Sequence, residues 1–435
     1  MTVSQCHTPT SDFQARIMGS NILRLNSRPT KVLHIINDLS VGGAEMMLYK
    51  LLSVMNKEQF SSAVLSLKKR GRLCERIEAL GVPVYTLALE QSFPTPASIR
   101  SLAHLLRRLS PDVIQGWMPH GNLAALLAGA LVPGRVPVLW NIRQSLYSLD
   151  YEKPMTAVAI KLSAWLSDRP DGIIYNSRTG AAQHAAFGYS NKRSLVIYNG
   201  FDTKLFTPSA TARRSVRDEL GVAENTFLVG LISRYHFIKD QSNFLRAAAL
   251  LRERYPDARF VLVGRGIEWQ NRPLRELIQA LALVAKVYLL GERQDTARII
   301  AALDVATSAS RGEGFPNVIG EAMSCAVPCV VTNVSDLPWI IEGAGRVVPR
   351  HDSASMAQAL IEMFERGRDG REALGRVGRA RVMEHFRLDS VAAQYGALYR
   401  SVAIRQETKT AEVPYQGVVE RTLTRNVLQK DGSRY

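Results

Sequence analysis

"LDVATSASRGEGFPNVIGEAMSCAVPCVVTN" occupies residues 303–333. Its two ends, "LDVATSA" (303–309) and "VPCVVTN" (327–333), are short apolar runs. Continuous apolar runs of this length suit parallel strands buried on both faces. Between them, "NVIGEAMSCA" (317–326) has the apolar spacing of a buried helix. Pro316 suits the first helical turn, where its missing N–H costs nothing. The stretch thus reads strand, loop, helix, strand, the repeating unit of a doubly wound α/β fold. Glu313 falls in the loop before the helix, and Glu321 more than a turn inside it. Two carboxylates therefore flank a helix N-terminus, an end that itself favours anions.

The alternation extends in both directions. Upstream of the seam the strand candidates are "KVLHIIN" (31–37), "SSAVLSL" (61–67), "VPVYTL" (82–87), "PDVIQGW" (111–117), "VPVLWNI" (136–142), "DGIIYNS" (171–177) and "RSLVIYN" (193–199). Downstream they are "FLVGLIS" (227–233), "ARFVLVG" (258–264), "AKVYLLG" (285–291), the two runs above, and "GRVVPR" (345–350). Segments of helical spacing, such as "AEMMLYKLLSVM" (44–55) and "PMTAVAIKLSAWL" (154–166), separate them. The count is enough for two doubly wound parallel sheets. The turn signal "NGFD" (199–202) and the charged stretch "ARRSVRDELG" (212–221) mark the seam. Two domains are expected, over 29–205 and 206–385. Residues 1–28 and 406–435 are polar and non-periodic and are expected to be flexible.

A chain of 435 residues is too long for one ordinary core, and its 46% hydrophobic and 22% charged content is that of a globular protein. "GNLAALLAGALVPGRVPVLW" (121–140) is interrupted by Pro133, Gly134, Arg135 and Pro137. It is too short to span a bilayer and reads as a buried helix, a turn and a strand. Residues 1–30 lack the apolar core of a secretion signal, so a cytoplasmic location is expected. The four cysteines are few and lack a neighbouring histidine cluster, as for small core residues in a reducing compartment.

Lysine and arginine number 55 against 39 acidic residues, a net charge of +16. Such an excess suits nucleic acid, an anionic membrane surface or an anionic substrate. The aromatics are not interleaved with the basic residues, and no helix-turn-helix or zinc-finger spacing occurs. Nucleic acid is therefore not expected as a partner.

In open parallel sheets, ligands bind beyond the carboxyl ends of the strands. The loops there hold the informative residues. "NDLSVGGAE" (37–45) brings Gly42 and Gly43 to a helix start, where bare backbone N–H groups approach an anion closely. "GWMPHGNLAAL" (116–126) places His120 just before an apolar helix, either as a ligand-facing group or as a solvated loop residue. "SRYHFIKDQ" (233–241) offers two cations, Arg234 and Lys239, suited to a diphosphate or simply solvated. "VGRG" (263–266) brings Gly264 to a strand end but is not the dinucleotide fingerprint, and "VGGAE" is not one either. Carboxylates around an anion-accepting helix end call for a ligand that is anionic in one part and rich in hydroxyls in others. A nucleotide-sugar meets both demands. Glu313 as a capping carboxylate and Glu321 as a surface residue are the alternative.

These motifs resemble those of the retaining GT-B glycosyltransferases of family GT4, over roughly residues 31–400. "EGFPNVIGEAMSCAVPCVVTNVSDLP" (313–338) is similar to the family's block of two glutamates separated by seven residues. "VGGAEMMLYKL", "PHGNLAA", "VIYNGFD" and "ISRYHFIKDQ" occur in the family's order. The resemblance implies two Rossmann-like domains facing across a cleft, with the acceptor on the first and the nucleotide-sugar on the second. It implies that a helix over 386–405, containing "DSVAAQYGALYRSV" (389–402), crosses back to the first domain. It assigns Gly42, Gly43 and Gly264 to the donor and His120 to the donor sugar. Arg234 and Lys239 would neutralise the leaving diphosphate, and Glu313 and Glu321 would hold sugar and ribose. The loop Gly314, Phe315, Asn317 and Val318 would line the sugar–phosphate side. The sequence departs from the family at Ala326, where glycine is frequent, and at "VGRG", where an acidic residue is usual.

The reaction implied is sugar transfer with retention, from a nucleotide-diphosphate-sugar (UDP-sugar foremost) to a lipid-linked or polysaccharide acceptor. The cations would take the electrostatic role, with no metal and no cofactor beyond the donor. "LKKRGR" (67–72) on the acceptor side suits an anionic membrane surface or is a solvated loop. A sugar-nucleotide epimerase and a non-catalytic basic binding module are the competing functions.

Overall fold

The structure is a computed structural model that describes residues 28–89 and 95–411. Each apolar run forms a strand, and the strands build two separate sheets. The first holds β1 (Thr30–Ile36), β2 (Phe60–Ser66), β3 (Val84–Thr86), β4 (Val113–Trp117), β5 (Val138–Ile142), β6 (Gly172–Tyr175) and β7 (Ser194–Val196), in the order β3-β2-β1-β4-β5-β6-β7. The second holds β8 (Leu228–Ile232), β9 (Arg259–Val263), β10 (Val287–Leu289), β11 (Val305–Ser308), β12 (Cys329–Thr332) and β13 (Gly345–Val348), in the order β10-β9-β8-β11-β12-β13. Every pairing is parallel. Helices cover both faces of such a sheet, and accordingly β4, β5 and β6 are buried along their whole length.

Both strand orders reverse once, between β1 and β4 and between β8 and β11. Loops leaving these strands diverge to opposite faces and open a crevice at the carboxyl ends. The 121–140 segment forms part of the Met118–Leu131 helix, a turn and β5. Among the described residues no helix is long and apolar enough to cross a membrane. Cys74, Cys325 and Cys329 are buried free thiols, and burial pushes the Cys325 thiol up to about 12.

The chain returns to the first domain through the Leu388–Ala411 helix, which runs past residue 405, where the sequence reading ended it. Its Val391, Tyr395, Leu398 and Tyr399 share one core with Val32, Phe60 and Trp117. The Tyr399 hydroxyl donates to Gln115 Oε1, and the Tyr395 hydroxyl accepts from Asn141 Nδ2 at 2.9 Å. The returning segment touches the seam itself: Phe201 N donates to Phe386 O (2.8 Å) and Leu388 N to Phe201 O (3.0 Å). A Cβ on Gly200 would fall 2.7 Å from Leu388 Cα, so the turn needs glycine to let the two segments meet. The remainder of the tail expected beyond 405, and the N-terminal segment except Arg28, lie outside the described residues.

Candidate active site

A cavity of about 450 Å³ lies where the carboxyl ends of the two sheets face each other. The first domain contributes Val41, Gly42 and Gly43, after β1, and Arg143, the first residue after β5. The second contributes Ser233, Arg234 and Lys239 after β8, Arg265 after β9, and Ser310 with Glu313–Ile319 after β11. The helix end and one of the two carboxylates read from the opening stretch, Glu313, are therefore in one place, together with Gly42 and Gly43 from the other domain.

Two helix N-termini point at this cavity from opposite sides. The Gly43–Val54 helix has Gly42 as its N-cap, and the Asn317–Ser324 helix has Pro316. Pro316 thus stands one residue before the helix rather than at its first position. Neither cap residue supplies a side-chain acceptor; Glu45 takes its own N–H in the first helix and Ile319 N donates to Pro316 O in the second, which leaves the N–H groups nearest each cap for an anion. The positive ends of both macrodipoles add to that preference for an anion. A Cβ on Gly43 would lie 3.9 Å from Asn317 Nδ2, which measures how closely the two ends approach. Gly314 packs against Arg143, where a Cβ would meet its carbonyl oxygen at 2.8 Å. Phe315 turns its ring into the core against Phe201, leaving its backbone toward the cavity.

Lys239 and Glu313 do not act independently. Lys239 Nζ lies 2.5 Å from Glu313 Oε1, and Ser310 Oγ donates to the same oxygen at 2.6 Å. Both bonds fall on Oε1, so Oε2 stays open to a ligand hydroxyl. Lys239 is largely neutralised by this pair. Among the described residues no carboxylate pairs with Arg234 or Arg265, both exposed at the cavity. These two exposed guanidinium groups, with the buried Arg143 that no carboxylate among the described residues matches, carry the uncompensated charge.

Arg143, buried, is a further cation that sequence reading missed. Its guanidinium donates to Asn141 Oδ1 (3.0 Å), to the Tyr395 hydroxyl (2.9 Å) and to Asn199 Oδ1. Asn199 Nδ2 in turn donates to Asn317 Oδ1 at 2.5 Å. The returning helix is thereby wired to the first residue of the Asn317 helix. Arg143 was legible in principle, because it follows a strand directly at the ligand edge. Arg265 sat inside "VGRG" and was passed over with its glycines.

Three expected site residues sit elsewhere. β4 runs straight into its helix, so His120 lies within the first helical turn rather than in a loop before it. It is half-buried and lines a second, apolar cavity. Burial, assisted by the charge of Lys68, pushes its pKa down, so the imidazole is neutral at pH 7. Gly264 does not line the crevice. It has φ +143°, and a Cβ there would meet Ser233 O at 2.2 Å, so it shapes the loop that carries Arg234. Glu321 is not in the cavity lining; its Oε1 pairs with Lys50 Nζ of the Gly43 helix at 3.0 Å. Lys50 has no local sequence signal, because its partner comes from the other domain.

Comparison with known proteins bears on both halves. The family described as Glycosyltransferase Family 4 matches residues 41–205, and that described as Glycosyl transferases group 1 matches residues 226–366. EpsF, a Bacillus subtilis (strain 168) protein named as a glycosyltransferase, is 28% identical over 336 residues, covering 71% of this chain and 80% of its own. The N-acetyl-alpha-D-glucosaminyl L-malate synthase of Bacillus anthracis is 27% identical over 214 residues, 49% of this chain and 55% of its own. The UDP-Gal:alpha-D-GlcNAc-diphosphoundecaprenol alpha-1,3-galactosyltransferase of Escherichia coli is 31% identical over 174 residues, 39% of this chain and 45% of its own. The chain thus spans four fifths of the first relative and about half of the other two. In three dimensions, Anabaena HepE, solved with UDP and glucose, superposes with a TM-score of 0.75 at 22% identity, over 86% of this chain and all of that one. That likeness is one of fold, two parallel-sheet domains facing across a crevice. Since each of those domains is matched in turn by a glycosyltransferase family, the chain belongs to the family 4, group 1 glycosyltransferases of GT-B fold.

Proposed function

We propose that the crevice binds a nucleotide-diphosphate-sugar, a UDP-sugar foremost, and transfers its sugar with retention to a lipid-linked or polysaccharide acceptor in cell-surface polysaccharide synthesis. One observation carries the donor reading: two unpaired guanidinium groups and two uncapped helix ends converge where Glu313 keeps one carboxylate oxygen open. The diphosphate lies against Arg234, Arg265 and the Gly43 and Asn317 helix ends. Its charge grows as the bond to the anomeric carbon breaks, and fixed cations and dipoles stabilise it without reorganising. Lys239 and Ser310 hold Glu313 so that Oε2 accepts from a sugar hydroxyl.

Glu313 is the one carboxylate among the described residues lining the cavity, and it is already held by Lys239 and Ser310. That arrangement favours entry of the acceptor on the face the diphosphate leaves, rather than a covalent sugar–carboxylate intermediate. The lipid-linked acceptor draws support from the E. coli relative, whose name specifies a diphosphoundecaprenol substrate. It also draws support from the exposed basic loop Lys68–Arg70 beside the first domain's ligand edge, which suits the anionic face of a membrane.

The test is thermal unfolding with UDP, GDP, ADP and CMP. A nucleotide at 100 times its Kd stabilises by about 2.7 kcal/mol, a rise of a few degrees. One diphosphate is expected to give that rise, with Arg234→Ala weakening its binding roughly tenfold or more. No shift with any of the four would sink the donor-site reading.

A further inference from the structure

We infer that the first domain holds a separate apolar site beside His120 that takes the hydrocarbon chain of a prenyl-phosphate acceptor. The role as acceptor rests on the transferase reading above; the binding itself does not. The site is a cavity of about 230 Å³ between the Pro96–Leu109, Met118–Leu131 and Pro154–Leu166 helices. A cavity of about 150 Å³ lined by aliphatic and aromatic side chains stays dry and binds benzene. By that measure this one encloses on the order of nine carbons, about two isoprene units. Leu87, Leu102, Leu123 and Leu127 line it, and its polar members are Ser98 and His120.

Those two polar groups differ. Ser98 Oγ is committed to the cap of its own helix, accepting from Thr95 N at 2.8 Å. His120 Nε2 is buried with no hydrogen-bond partner among the described residues. A buried ring nitrogen left unmatched is costly unless a ligand meets it. Lys68, exposed, directly follows the cavity-lining Leu67, and Lys69 and Arg70 continue the same basic loop, so cations border the cavity where β2 ends. An apolar chamber bordered by a basic loop complements a hydrocarbon that ends in phosphate.

The cavity also continues outward. Met155, Val158 and Leu162 line it and remain 39%, 54% and 43% exposed, and Trp165, one turn on, is 78% exposed. Their spacing of three, four and three residues puts them on one face of the Pro154–Leu166 helix. Surface apolar residues scattered singly need no explanation, but four in line leading out of an apolar cavity form a track. A chain too long for the cavity would lie along it. Leu67, Leu87, Leu89 and His120 follow β2, β3 and β4 at the same carboxyl edge as Gly43 and Arg143. A lipid held here therefore presents its phosphate end at the edge where the donor sugar is placed.

The experiment is equilibrium binding of farnesyl phosphate to the full chain, read by Trp165 fluorescence. Competition uses inorganic phosphate and phosphatidylglycerol vesicles. Ala124→Phe fills the cavity and Leu162→Ser breaks the exposed track. Expected are saturable binding to the wild type, a tenfold or greater loss in Ala124→Phe, and a severalfold loss in Leu162→Ser. The exposed position of Leu162 keeps that variant folded if the cavity variant is not. Unchanged binding in Leu162→Ser together with a folded Ala124→Phe would overturn the inference. So would full competition by inorganic phosphate, which would mean that only the head is read, or by vesicles, which would make the face a bilayer-docking surface. The same samples are melted with UDP. A UDP shift without farnesyl-phosphate binding removes the lipid site and leaves the transferase reading; lipid binding without any nucleotide shift does the reverse.

Discussion

Ala326 shows how a single departure from the family pattern acquires a physical meaning. It closes the Asn317 helix with φ +56°, a conformation in which a Cβ crowds the following carbonyl. Glycine adopts that conformation without the crowding. Ala326→Gly is therefore expected to stabilise the second domain by about 1 kcal/mol, measurable as a higher urea midpoint at constant slope. Residue identity at the site was legible to different depths. Arg234, Lys239 and Glu313 could be named because each lies next to a strand end. Their partnership could not, since Lys239 and Glu313 are 74 positions apart and meet only through the pairing of β8 with β11.

Among the elements, the short Asn317–Ser324 helix carries the site, and its placement depends on a glycine. A Cβ on Gly320 would stand 2.0 Å from Phe201 Cζ. Phe201 is itself fixed by Phe315 and Phe386, with ring centroids 6.0 and 6.4 Å away, so it has little room to yield. Gly320→Ala should push the helix off this cluster and cost about 1–3 kcal/mol, as overpacking does. Because the same shift displaces the Asn317 amide, nucleotide affinity should fall together with stability. A variant that lost stability and kept its nucleotide affinity would show that the helix end is held from elsewhere. The helix itself was legible from apolar spacing; its contact with Phe201, across the seam, was not.

At the scale of the molecule, the two domains are joined by specific polar contacts. Asp336 of the second accepts from Arg178 N (2.7 Å) and Thr179 N (2.9 Å), satisfying the start of the Arg178–Ala186 helix in the first. Lys50 and Glu321 pair across the same divide, and the returning helix closes it. Two buried histidines in the first domain give the whole chain an acid sensitivity. Burial lowers the pKa of His184 to about 4 and that of His34 to about 3, against 6.5 for the exposed group. The unfolded chain then binds more protons below pH 6.5. Stability is full above that value and falls as pH drops toward the folded values. Each histidine should remove about 2 kcal/mol between pH 7 and pH 5, and His34→Leu should flatten that slope in denaturant titrations. A slope unchanged by the substitution would assign the acid sensitivity to other groups.

By itself the sequence determined the elements, their parallel pairing in two sheets and the strand edge at which the candidate site lies. Those follow from local period and from the rule that strands joined through helices pair in parallel. The tertiary structure decided which charges remain free. Lys239 is matched by Glu313 and Glu321 by Lys50, while Arg234, Arg265 and the uncapped helix ends keep their charge for a ligand. It also placed His120 against an apolar chamber instead of the crevice. Electrostatic compensation and burial depend on distances between segments far apart in the chain, and no local pattern records them.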